Sequence, residues 1–155
     1  MSRNGKKASE EFLSAPFAPL GLIVMPGCEE MGAKVNQWLM GWREQREAME
    51  DTHTPLFGVL GADREDFLID VSLPRFSTGE GKGMIKSTVR GYDIFIITDI
   101  GAYNVTYNMY GKPTRMSPDD HYQDLKRIIA AVGGRAKRIN IIMPMLYEAR
   151  QHRRT

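Results

Sequence analysis

Residues 150–154 read Arg-Gln-His-Arg-Arg, a dense run of cations in so short a stretch. A guanidinium is a planar fork of donors that suits phosphate oxygens, so several of them beyond a strand end form a grip for a polyphosphate. On the residues alone, a solvated charged terminus is the plainer reading of the same stretch. Gly79-Glu80-Gly81-Lys82-Gly83 invites comparison with a phosphate cradle, but it fits neither GxGxxG nor GxxxxGK[ST], and a turn between strands explains it. Asp119, Asp120 and His121 include metal-ligand types, yet acids at a helix start are explained by capping and the helix dipole. Cys28 has no histidine placed beside it by sequence and reads as a small, partly buried thiol. His53 stands alone in a polar stretch.

The elements that must position these groups follow from periodicity. Leu22–Met25 is a short apolar run ending at Pro26-Gly27, the pattern of a buried strand and a turn. Met31, Val35, Trp38, Leu39 and Trp42 recur at helical spacing behind Glu29 and Glu30, which predicts a helix that frays by Asp51 and packs its tryptophans and methionines inward. Leu56–Leu60 and Phe67–Val71 read as strands, and another lies around Met84–Thr88. Ile94–Ile97, four β-branched or aromatic residues in a row, belongs near the centre of a sheet. Residues 101–116 show no period and read as a long loop. Ser117 is a natural N-cap, Pro118 suits the first helical position, and Tyr122, Leu125, Ile129 and Val132 mark the buried face of a helix that Gly133-Gly134 ends. A last strand at Ile139–Met143 runs into Pro144, which leaves the arginines at its carboxyl end. Ligands of open α/β sheets bind there.

Composition narrows the classes. With 155 residues, 42% hydrophobic and 26% charged, the chain suits one compact domain, behind a charged lead-in over residues 1–15 that reads as mobile. A net charge of +2 argues against generic nucleic-acid binding. The charge is uneven: from Arg135 onward, Arg135, Lys137, Arg138, Arg150, Arg153 and Arg154 face only Glu148, so a local anion site is expected. One cysteine allows no internal disulfide, and no apolar run reaches membrane-spanning or signal length, so the expectation is a cytoplasmic protein without a membrane role.

Three stretches, taken in order, carry a resemblance. PRFSTGE at 74–80, STVRGYDIFII at 87–97 and AAVGGRAKRINIIMPMLYEARQHRR at 130–154 resemble the N-terminal half of ribose-phosphate pyrophosphokinase, also called phosphoribosyl pyrophosphate synthetase. The resemblance runs from about Leu22 to the last residue. It implies an α/β domain of the phosphoribosyltransferase type: an open, mostly parallel sheet flanked by helices, with an antiparallel hairpin around Phe76 to Glu80. It implies the family's reaction as well, transfer of the diphosphoryl group of Mg-ATP to C1 of ribose 5-phosphate, giving phosphoribosyl pyrophosphate and AMP.

By that resemblance Arg150, Gln151 and Arg153 match the segment that contacts ATP, with Arg154 where another cation is common. Phe76, Thr78 and Glu80 fall in the loop that packs against and hydrogen-bonds adenine, a loop the family usually supplies from a neighbouring subunit, so a homo-oligomer is expected. An aromatic face supports a base and a carboxylate accepts its exocyclic N–H. Thr78 stands where the family usually has aspartate, His152 where aspartate is common, and residues 98–118 are longer than the usual connection. Nothing resembles the family's flexible catalytic loop or its acidic ribose 5-phosphate loop. The expectation is therefore a single N-terminal domain whose catalytic residues and ribose 5-phosphate site lie in an absent C-terminal half. A non-catalytic regulatory or nucleotide-binding subunit of the same family is the alternative. A small nucleic-acid-binding domain ranks third.

Overall fold

The computed structural model describes residues 17–49 and 64–150. The lead-in, His53, the expected strand over Leu56–Leu60, and Gln151, His152, Arg153 and Arg154 lie outside them. Strand β1 (Leu20–Val24) enters helix α1 (Glu29–Met49); β2 (Val71–Ser72) and β3 (Met84–Ile85) follow, then β4 (Asp93–Ile97), β5 (Thr106–Met109), β6 (Lys112–Arg115), helix α2 (Pro118–Val132) and β7 (Arg138–Ile142). The fold is α/β, with a parallel sheet in the order β1-β4-β7 and two antiparallel pairs, β2-β3 and β5-β6.

β4 is central, as its run of isoleucines predicts. It pairs Leu22 with Phe95 on one side and Phe95 with Asn140 on the other. Ile23, Ile94 and Ile96 meet Leu125, Ile128 and Val132 of α2, all buried, in the main core. Each such side chain contributes roughly 1.5–3 kcal/mol by leaving water. Leu22, Ile97 and Cys28 form a smaller cluster on the other side with Val24, Val35, Phe67 and Phe95 around it. The stretch expected as a strand over Phe67–Val71 divides its pairing. Leu68 runs parallel to Leu22, tied by Leu22 N–H to Phe67 O at 2.7 Å and Ile69 N–H to Leu22 O at 2.8 Å, while Val71 turns to pair with Ile85.

α2 begins as its sequence dictates. The Ser117 hydroxyl accepts from Asp120 N–H, the Asp120 carboxylate accepts from Ser117 N–H at 2.9 Å, and Gly133 closes the helix by donating to Ala130 O at 3.0 Å. Two expectations are corrected. The loop over 101–116 contains the β5-β6 hairpin, which turns through Tyr110 and Gly111, both at positive φ (49° and 77°). The tryptophans of α1 are not packed: Trp38 is 67% and Trp42 56% exposed, with ring centroids 6.4 Å apart. Gly32 explains this, because a Cβ there would lie 2.3 Å from Val24; the helix approaches β1 at that glycine and its inward face follows Gly32, Val35, Asn36 and Arg43. Asn36 Oδ1 accepts from Phe67 N–H at 3.0 Å and Arg43 donates to Arg64 O, so polar residues share the inner side with Val35. Among the described residues no helix is long and apolar enough to cross a membrane.

Candidate functional site

The loop 76–80 caps one continuous antiparallel ribbon. Lys86 N–H donates to Asp70 O at 2.9 Å, Val71 pairs with Ile85, Lys82 N–H donates to Pro74 O at 3.0 Å, Arg75 bridges Gly81, and Phe76 N–H donates to Glu80 O at 2.8 Å. Gly79, at φ 92°, closes the tip by donating to Phe76 O at 2.9 Å. Phe76 is left 56% exposed. Thr78 and Glu80 are exposed beside it, with Thr78 Oγ1 donating to Glu80 Oε2 at 3.4 Å.

The ribbon is clamped to α2 by charge and by close packing. Arg75 donates to Asp124 Oδ2 at 2.8 Å and to Gly79 O at 2.9 Å, and its guanidinium lies 4.6 Å from the Tyr107 ring centroid. Asp124 also accepts from Arg127 at 2.6 Å, and its side chain is 3% exposed. A buried carboxylate shared by two guanidiniums holds its place only while both remain. Gly83 lets the ribbon lie directly on the helix, since a Cβ there would sit 2.6 Å from Arg127 O. The β5-β6 hairpin braces the tip from another side: Tyr110 N–H donates to Ser77 O at 2.9 Å, and a Cβ on Gly79 would be 3.3 Å from Met109 sulfur.

The stretch leading to Arg150, where the other expected half begins, is tied to the same helix through Tyr147. Tyr147 donates to Asp119 Oδ1 at 2.6 Å and stacks on Tyr122 with centroids 4.1 Å apart and an interplanar angle of 11°. The Asp119 carboxylate, receiving the Tyr147 hydroxyl, pushes that phenol up to about 12. Three residues on lies Arg150, exposed and without an ion-pair partner among the described residues. At about 100° per residue, Asp119 and Tyr122 lie on one flank of the buried stripe Leu125-Ile128-Val132, whereas Asp120, Asp124 and Arg127 lie on the other. The loop 76–80, through Arg75, and Tyr147, three residues before Arg150, are thus held on opposite flanks of α2, and no described contact joins Phe76, Thr78 or Glu80 to Arg150.

The basic residues expected to gather at one place are divided. Arg138 stands at the amino end of β7, where it pairs with the buried Asp93 through Nε at 2.8 Å and through Nη2. Lys137 donates to Phe17 O at 3.1 Å and lies over that ring. Arg150 follows the opposite end of the strand. The acids at the start of α2 serve the fold: Asp120 in the capping box, Asp119 on Tyr147, while the buried His121 ring bonds Ala102 O at 3.1 Å. No group of three metal-ligating side chains occurs among the described residues. Cys28 is 2% exposed, and burial, aided by the Asp99 carboxylate, raises its thiol away from reactivity. Sequence reasoning missed Asp124 and Tyr147. Their signals were slight: an acid one helical turn after Asp120, and an aromatic between Pro144 and the arginines.

No curated protein matches the chain. The family profile of the N-terminal domain of ribose phosphate pyrophosphokinase matches residues 60–155, more than half of the sequence, including the ribbon, the sheet's centre, α2 and the arginine segment. β1 and α1 fall before that match, whereas the expected resemblance begins at about Leu22. With the parallel sheet, the clamped ribbon and the matched span in agreement, the chain belongs to the ribose-phosphate pyrophosphokinase family, as a carrier of its N-terminal domain.

Proposed function

We propose that the chain supplies the ATP-binding walls of a ribose-phosphate diphosphokinase, in which Mg-ATP gives its diphosphoryl group to C1 of ribose 5-phosphate and AMP leaves. The observation that carries this reading is the clamped loop: Arg75, Asp124 and Arg127 fix its base while Phe76 is kept 56% exposed. A large aromatic held out of the core on a rigid mount is suited to receive another ring. In this reading Phe76 stacks on adenine and Glu80 accepts its exocyclic N–H. Thr78 engages one Glu80 oxygen and leaves the other for the base. Arg150, Gln151, Arg153 and Arg154 hold the phosphates, and the opposite flanks of α2 favour a pocket shared between two copies. Catalytic residues and a ribose 5-phosphate site belong, in this reading, to a C-terminal domain.

A calorimetric titration with Mg-ATP tests it. Phe76→Ala and Arg150→Ala should each weaken binding about tenfold, the former by loss of stacking and the latter by loss of charge-assisted hydrogen bonds. Absence of Mg-ATP binding by the unaltered chain would sink the reading. Adding ribose 5-phosphate and following AMP separates the two roles: release of AMP identifies an enzyme, whereas binding without AMP, the expected result for these 155 residues, fits a nucleotide-binding part or a non-catalytic subunit.

A further inference from the structure

Tyr110 occupies the first of the two turn positions between β5 and β6, at φ 49°, where such hairpins favour Asn or Gly. A bulky aromatic in the left-handed region is a strained choice, and strain of this kind gathers at sites of function. Nothing in the core compensates for it, because Tyr110 is 72% exposed. What the turn does contact is the ribbon tip: Tyr110 N–H donates to Ser77 O at 2.9 Å, one residue from Phe76. Behind the tip, Met109 and Tyr107 close on Gly79, where a Cβ would meet them at 3.3 and 3.6 Å. The hairpin is therefore bonded to the loop and packed behind it, and its turn sets a second exposed aromatic residue beside the tip.

We propose that Tyr110 is a specificity-determining residue that adds a second aromatic contact to the purine of a bound nucleoside triphosphate, beside Phe76. This rests on the reading that Phe76 and Glu80 receive adenine. The β5-β6 hairpin then has a task, which is to widen an adenine platform too small on its own loop. Its strained turn persists because the favoured residue at that position would remove the ring.

The test sets stability against binding. Tyr110→Asn creates the favoured Asn-Gly turn, so its melting temperature should equal or exceed that of the unaltered chain. Its affinity for Mg-ATP should nevertheless fall about tenfold, with binding of Mg-tripolyphosphate unchanged. Tyr110→Phe should keep both. Unchanged ATP affinity in Tyr110→Asn, with Phe76→Ala still impaired, overturns the Tyr110 assignment and leaves the adenine loop standing. Equal losses for ATP and tripolyphosphate also overturn it, since the loop would then have shifted as a whole. Failure of the unaltered chain to bind ATP removes the adenine reading itself.

Discussion

Asp124 is the residue on which the ribbon's attachment turns. Its carboxylate serves Arg75 and Arg127 from inside the protein, and Arg75 is itself 9% exposed along its side chain. Asp124→Ala would leave the buried Arg75 guanidinium with only the more distant Asp120 carboxylate, at 3.8 Å, so unfolding in urea should show a loss of about 3 kcal/mol. Tyr147 offers a second test, by pH. Its phenol is pushed up to about 12 chiefly by the hydrogen bond it donates to Asp119, which ionisation would forfeit. A raised folded pKa means that the contribution of the Tyr147–Asp119 hydrogen bond is fully present below the ordinary tyrosine value near 10 and is lost as pH rises from there through about 12. Ultraviolet titration should find Tyr147 among the last tyrosines to ionise, and Asp119→Asn should bring it back toward the ordinary range. Neither residue was legible as a site. An acid in a helix reads as solvated, and only the fold reveals that Asp124 looks at Arg75, 49 positions earlier.

At the scale of elements, the strands β1, β4 and β7 and the caps of α2 were legible, because a run such as Ile94–Ile97 and a Ser-Pro-Asp-Asp start each have one cheap conformation. The β5-β6 hairpin was not, since Asn, Gly and Tyr break its alternation and its turn uses a residue that turns disfavour. α1 misled for another reason. Val35 of its apolar stripe packs on the core, but Met31, Trp38 and Trp42 point aside because Gly32 sets the contact with β1, so spacing gave the period and only part of the phase. Close approach makes its own prediction at the ribbon: Gly83→Ala must displace Arg127's backbone or lift the ribbon, and should cost about 1–3 kcal/mol in thermal or urea unfolding. At the start of the sheet, Arg138's hydrogen bonds hold Asp93 below the usual carboxylate range against the opposing effect of burial, with Asn140 assisting. A depressed carboxyl stabilises above its unfolded pKa and loses that contribution as pH falls through the folded one. Asp93→Asn should therefore flatten the acid limb of a stability-against-pH curve between β4 and β7.

Across the whole molecule, the described body leaves apolar surface at β7 and beyond, with Ile141 46%, Ile142 41% and Leu146 67% exposed. Parallel sheets are normally covered on both faces, so the proposed assembly should sediment above the mass of one chain, and Ile141→Glu should shift it toward the single chain. The overall class was readable in the sequence because one strongly apolar strand and a capped helix set the sheet. The partners of the basic residues at the amino end of β7 were not, because Asp93 and Phe17 lie 45 and 120 positions from Arg138 and Lys137 and only the fold brings them together. The opposed attachments on α2 bear on stoichiometry. Where each pocket draws one wall from one copy and the facing wall from the next, a closed ring completes as many pockets as it has members, while an open string leaves an unmatched wall at either end. Counting nucleotides bound per chain would then report whether the circle is shut.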